Sequence, residues 1–303
     1  MAIAFTRSLG GLRDDLGRGI RKRVMGVGEQ SPPVPMADET DPGLFGPDSV
    51  AWQVHRDPAM FVGGLRALLF QTLHPLAMAG VADHSDYRQD PWGRLHRTGA
   101  FIGTTTYAPT AEALAAIEHV RHVHNFVFGT APDGRRYSAN DPHLLAWVHV
   151  AEVDSFLRAY QRYGARSLSA SEADRYVAEM SVVALELGSE TVPTTVAEID
   201  DWLHEVRGEL VCGPQAKEAL LFLLWPPSMP WKVRVPYRAV TAGAVGLLPY
   251  WATEMMGVPS PPAVDPLIVR PLLRTMLKGF GWALGSEDGP GSNPVESGRT
   301  GDI

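Results

Sequence analysis

The sequence predicts an all-α protein, and three observations carry that expectation. Apolar residues recur at three- and four-residue spacing through GGLRALLFQTLHPLAMAGVA and PHLLAWVHVAEVDSFLRAY. Alternating β-branched runs are scarce. Breakers separate the periodic stretches, in PPSMPWKVRVP at 226–236 and PSPPAVDP at 259–266. Of the 303 residues 45% are hydrophobic and 20% charged, which is globular composition with ample material for a core.

Residues 1–44 read as an N-terminal arm and linker. Six Lys/Arg stand against two Asp in the first 23 residues. That pattern fits a solvated extension, or a basic amphipathic arm touching a membrane surface or a partner. No continuous apolar run of signal-peptide length is present there. Residues 27–48, rich in Gly, Pro, Ser and Asp, read as a linker or wrapped arm.

One helical domain is expected over 45–284, its helical pattern set from about Asp57 to Tyr163. Thr110 is placed to cap a helix running to about Phe128, with Pro109 before it. Asp141 and Pro142 form a cap and first-turn pair for the next helix. Ser169-Ala-Ser-Glu172 resembles a capping box and opens a helix to about Leu187. Further helices fit Val196–Arg207, Pro214–Leu224, Tyr237–Met256 and Leu267–Leu284. The tail, 285–303, is rich in Gly, Ser, Glu, Asp and Pro and is expected to be disordered.

A net charge of −7 argues against a nucleic-acid partner. The single cysteine, Cys212, forms no internal disulfide and cannot build a multi-cysteine zinc or iron–sulfur site. The sequence lacks G-x-G-x-x-G, P-loop, G-x-S-x-G, H-E-x-x-H and E-x-x-H patterns. Ala239–Leu248, the most apolar later stretch, is too short to span a bilayer. These features point to a soluble, cytoplasmic protein whose ten histidines are its main store of ligands and titrating groups.

His124 falls amid the stripe Leu114, Ile117, Val120 and Val127, with His119 and His122 on the opposite side and Arg121 at the edge. An inward imidazole is either a hydrogen-bonded core residue or an axial haem ligand. Arg94, Arg97, Thr98, Phe101 and Thr105 share one helix face. That face is either half-exposed and ion-paired, or suited to haem propionates and bound oxygen. His149 shares a face with Leu145, Val153 and Phe156 and is a rival inward histidine. Trp147 reads as core.

Together, Arg94-Leu-His-Arg97-Thr98, Arg121-His-Val-His124, QTLHPLAMAGVADHSDY and YSANDPHLLAWVHVAEVDSF resemble the latex-clearing-protein and MpaB-like oxygenases, over roughly residues 45–280. The resemblance implies an all-α fold holding b-type haem between helices. It maps the axial, iron-binding histidine onto His124, with His149 and His74 as alternatives. Arg94 and Thr98 map beside the haem as catalytic or anchoring residues, and Arg97 and Arg121 belong to the same cofactor-binding motifs. Where rubber-cleaving members carry a Lys that can cap the iron, this chain has Arg97, which stays protonated and offers no lone pair. An open or otherwise ligated distal position is therefore expected.

The implied reaction is O₂-dependent cleavage of an isoprenoid C=C bond, or a related oxidation of an apolar, lipid-like small molecule. The electron donor and oligomeric state are not legible in the sequence. A peroxide-using or desaturating haem oxidant, and a non-enzymatic haem- or lipid-binding helical protein, are the other readings.

Overall fold

The computed structural model describes residues 36–226, 231–258 and 269–284. Helices α1 (Val50–His55), α2 (Met60–Gln71), α3 (Pro75–His84), α4 (Pro91–Tyr107) and α5 (Thr110–His124) come first. An antiparallel hairpin follows, of β1 (Phe128–Thr130) and β2 (Arg136–Ser138). Then come α6 (Pro142–Tyr163), α7 (Ala170–Leu187), α8 (Val196–Val206) and a 3₁₀ turn (Arg207–Glu209). Helices α9 (Pro214–Leu224), α10 (Trp231–Gly246), α11 (Tyr250–Met256) and α12 (Arg270–Leu284) complete the described chain. The architecture is all-α apart from the hairpin.

The near-continuous apolar character of α6 makes it the central element. It packs along α2 and is flanked by α1, α7 and α12, while α10 lies across α2 and α12. Trp147 of α6 is fully buried and packs against Phe70 of α2, with ring centroids 5.4 Å apart. The α2–α6 approach is close because Gly63 has no side chain. A Cβ there would lie 2.7 Å from Phe156 Cδ1 and 3.0 Å from Phe156 Cα. Overpacking of this kind costs about 1–3 kcal/mol, against about 1 kcal/mol of helix propensity gained over glycine. Gly63→Ala is therefore expected to lower stability by up to about 2 kcal/mol in urea unfolding. Gly279→Ala on α12, where nothing lies within 4 Å, should instead be neutral or stabilising.

A buried arginine completes the joint. Arg66 of α2 donates to Asp154 Oδ2 at 2.7 Å and Ser155 Oγ at 2.6 Å, both on α6, and to the Leu247 carbonyl at 2.9 Å. Arg158 donates to the other Asp154 oxygen at 2.6 Å. The buried carboxylate is thus matched on both oxygens, as a buried charge requires.

Local signals in the sequence fix several helix starts. Asp141 caps α6 through the His143 amide, with Pro142 in the first turn. Ser169 and Glu172 form the expected capping box of α7, and Thr195 and Glu198 form a second one on α8.

Four expectations change. Pro109 takes the cap position of α5, and Thr110 is its first residue. The capping acceptor is Asp41, which receives the Thr110 amide at 3.1 Å and its hydroxyl at 2.6 Å. That helix ends at His124 rather than near Phe128, because the chain turns into the hairpin. The strands are three residues each, too short for an alternating pattern, although the turn glycine Gly134, at φ +87°, follows a turn-forming Pro-Asp.

The expected helix over Tyr237–Met256 is two helices, with Leu247–Pro249 between them. Finally, α10 begins at Trp231 and contains Pro236, inside the stretch expected to break helices. Its packing on α2 and α12 overrides the local penalty. Residues 36–44 lie against the α4–α5 turn, where the Ala37 amide donates to the Tyr107 carbonyl at 2.7 Å. The rest of the basic arm, the breaker at 259–266 and the tail from 285 lie outside the described residues.

Candidate active site

Asp90 starts α4 by accepting the Gly93 amide at 2.9 Å, with Pro91 as first residue. This places Arg94, Arg97 and Thr98 in the first turns of that helix. Only Ala108 and Pro109 separate α4 from α5, and the two helices pack together. Arg94 and His124 consequently sit at the helix ends remote from that turn. Helix α5 also packs on α7, and α7 on α6, which carries His149.

His124 is the last residue of α5 and is half-buried. Its Nδ1 is buried and has no hydrogen-bond partner. Burial lowers its pKa, so the ring is neutral at neutral pH. A neutral imidazole with an unspent nitrogen inside a protein is unusual, because buried polar atoms are normally satisfied. Of the stripe expected to surround it, Ile117 is buried, while Leu114 is 40% exposed.

Arg94 is half-buried, which lowers its pKa, and it donates to Ser85 Oγ at 2.8 Å. Among the described residues it forms no ion pair with a carboxylate. Thr98 is half-buried; Thr105, further along the helix, spends its hydroxyl on the Phe101 and Ile102 carbonyls. Arg97 is exposed and lies 3.7 Å from Asp90. Arg121 is exposed, pairs with Glu118 at 3.3 Å, and lines a polar surface cleft with Asn125, Asn140 and Leu187. Arg94 and Arg97 make their polar contacts to Ser85 and Asp90, and Arg121 makes its own to Glu118.

His74 lies apart from both motifs. It caps α3 and faces Glu209 at 3.5 Å.

His149 keeps part of its surface open, yet burial lowers its pKa to about 4, so it is neutral. One turn on, Glu152 also keeps some open surface, and burial raises it to about 7. Burial, and after it the charge of nearby Glu152, raises the phenol of Tyr176 on α7. Tyr176 in turn meets His55 at 3.0 Å, and His55 meets Thr106 at 2.7 Å. Sequence reasoning missed Glu152. Its signal was the H-x-x-E spacing after His149, a carboxylate one helical turn along on an otherwise apolar helix.

Glu152 links pH to stability. Its folded pKa, about 7, is above the ordinary 4.5. The unfolded chain therefore ionises first, and the stability present below pH 4.5 is lost as pH rises through 7. Glu152→Gln removes that loss. It should match the wild type near pH 4 and exceed it at pH 8 by up to about 3 kcal/mol in urea unfolding.

A family model described as the catalytic domain of ER-bound oxygenase mpaB/B′ and rubber oxygenase matches residues 52–278, which include every site residue above. Neither a curated protein nor a solved structure matches the chain. Among the described residues, no helix is long and apolar enough to cross a membrane.

Proposed function

We propose that this chain, which belongs to the family of mpaB and rubber oxygenase catalytic domains, is a haem b-dependent oxygenase using O₂ on an apolar, isoprenoid or lipid-like substrate. The observation that carries this reading is His124: a half-buried imidazole, held neutral, whose buried Nδ1 has no hydrogen-bond partner. That is the form of histidine that can give a lone pair to iron.

Bound haem would supply the oxygen chemistry, and the protein its orientation and dry surroundings. His124 is the residue that would hold the iron; His149, also neutral, is the rival. Arg94 brings a half-buried positive charge with no carboxylate partner among the described residues, suited to a propionate. Thr98 offers a hydroxyl one turn further on, able to hydrogen-bond a polar atom of the substrate or of bound oxygen. Arg97 and Arg121 are turned outward to Asp90 and Glu118, and would contribute at the rim.

Glu152 can hold or release a proton at its carboxyl near neutral pH, the property wanted of a general base. Val148, His149 and Glu152 keep part of their surface open on the central helix, where an apolar substrate would meet the proton-holding carboxyl.

The test is a purification from haem-supplied cells, followed by turnover of prenyl-chain substrates with O₂ and a reductant, or with H₂O₂. A Soret band and carbonyl products dependent on O₂ are expected. Absence of the Soret band would refute the haem reading. Products formed only with H₂O₂ would make the enzyme a peroxide-using oxidant instead.

A further inference from the structure

Away from α4 and α5, three chemistry-bearing side chains converge from separate elements. His74 is the cap residue of α3, His143 is in the first turn of α6, and Glu209 ends the 3₁₀ turn after α8. Glu209 Oε2 lies 2.9 Å from His143 Nε2 and 3.5 Å from His74 Nε2. The ligand atoms of all three lie within 4.8 Å of one another. His74 is 1% exposed, and its Nε2 is buried without a hydrogen bond while aimed at this cluster.

We propose that His74, His143 and Glu209 form a binding site for one divalent transition metal, with Zn²⁺ the best fit. Two imidazoles and a carboxylate are a ligand set that zinc takes, with water in the fourth position. Bonds of about 2.0–2.2 Å in tetrahedral geometry put ligand atoms about 3.3–3.5 Å apart. The observed separations of 2.9 and 3.5 Å bracket that spacing. A carboxylate oxygen and two imidazole nitrogens converging on one point offer three lone pairs to a cation. His143 and Glu209 are 46% and 44% exposed, so the cluster has an entry path and room for water.

The walls of the site are aromatic. Trp147 lies 5.9 Å from the His74 ring, Trp202 lies 5.8 Å from the His143 ring, and the two indoles stack 6.2 Å apart. Such a shell limits rotation of the rings and keeps their nitrogens converged. Metal binding through His74 Nε2 requires the ring proton on Nδ1, and so gives up the contact from the Ala77 amide. At 3.5 Å that contact is at the limit of a hydrogen bond. A bound ion would clip the starts of α3 and α6 to the turn after α8, three points far apart in sequence.

The experiment uses the full chain, stripped with a chelator and then titrated with Zn²⁺ alone against a chromophoric competitor. One Zn²⁺ per chain is expected, together with a rise in Tm on adding it. His143→Ala and Glu209→Gln alter exposed side chains and should fold. Each is expected to weaken zinc binding by at least about 10-fold, as loss of even an outer partner of a ligand does. Co²⁺ in the stripped protein should give the visible bands of a four-coordinate site, and these should be lost in both variants. The haem spectrum, if present, should be unchanged in His143→Ala. No stoichiometric zinc in the wild type, or equal affinity in both variants, would overturn the site. A changed Soret band in His143→Ala would also count against it, by assigning this cluster to the haem.

Discussion

His124→Ala is expected to abolish stable haem binding while leaving the fold intact. The side chain is at the end of α5, is half-buried, and its buried Nδ1 has no hydrogen-bond partner to lose. Its removal should therefore cost little stability, and the far-ultraviolet CD spectrum and urea midpoint should stay close to the wild type. Haem retention through gel filtration should fall by at least about 10-fold, the lower range for weakening a metal site by one partner. Glycine should behave as alanine does, and added imidazole should restore part of the Soret band by occupying the vacated volume. A normal band in His124→Ala, lost in His149→Ala, would assign the iron-holding role to His149 of α6. The low pKa of His149, about 4, makes that ring equally able to ligate at neutral pH.

Arg66→Met should produce the largest loss of stability. The guanidinium is fully buried and holds one oxygen of Asp154, the Ser155 hydroxyl and the Leu247 carbonyl. Breaking a buried pair by removing one partner costs about 3–5 kcal/mol, because the other charge stays in a poor solvent for it. Arg158 still binds the second Asp154 oxygen, which places the expected loss towards the lower figure. A second change, Asp154→Leu, should recover much of the loss, since an apolar pair of similar volume can replace a buried ion pair. Urea unfolding of the wild type, the single variant and the double variant measures both effects. An Arg66→Met loss below about 1 kcal/mol would mean that water reaches Asp154.

The legibility of the chain follows the range of the forces involved. Capping is local, so Asp141, Ser169 and Glu172 announce their helix starts within four residues. The periodicity of α6 likewise reveals that it is central, and Trp147 is buried as its pattern implies. The capping of α5 was misread because its acceptor, Asp41, comes from 69 residues away. Pro236 lies inside a helix because neighbours across space outweigh its local preference. The hairpin between α5 and α6 was missed because three-residue strands carry no period.

The candidate site divides in the same way. Residue types and spacing were enough to single out Arg94, Thr98, Arg121, His124 and His149, and to suggest their family. They could not say that Arg97 and Arg121 turn outward to Asp90 and Glu118, or that Glu152 has its pKa raised to about 7. Ion pairing and desolvation depend on which elements surround a side chain, and that is a property of packing. Nor could sequence place His74, His143 and Glu209 around one point, since 66 residues separate the last two. From the sequence alone came the all-α class, several helix starts and the chemistry available. Tertiary structure decided which nitrogens and oxygens meet, because burial and convergence arise only when distant segments pack.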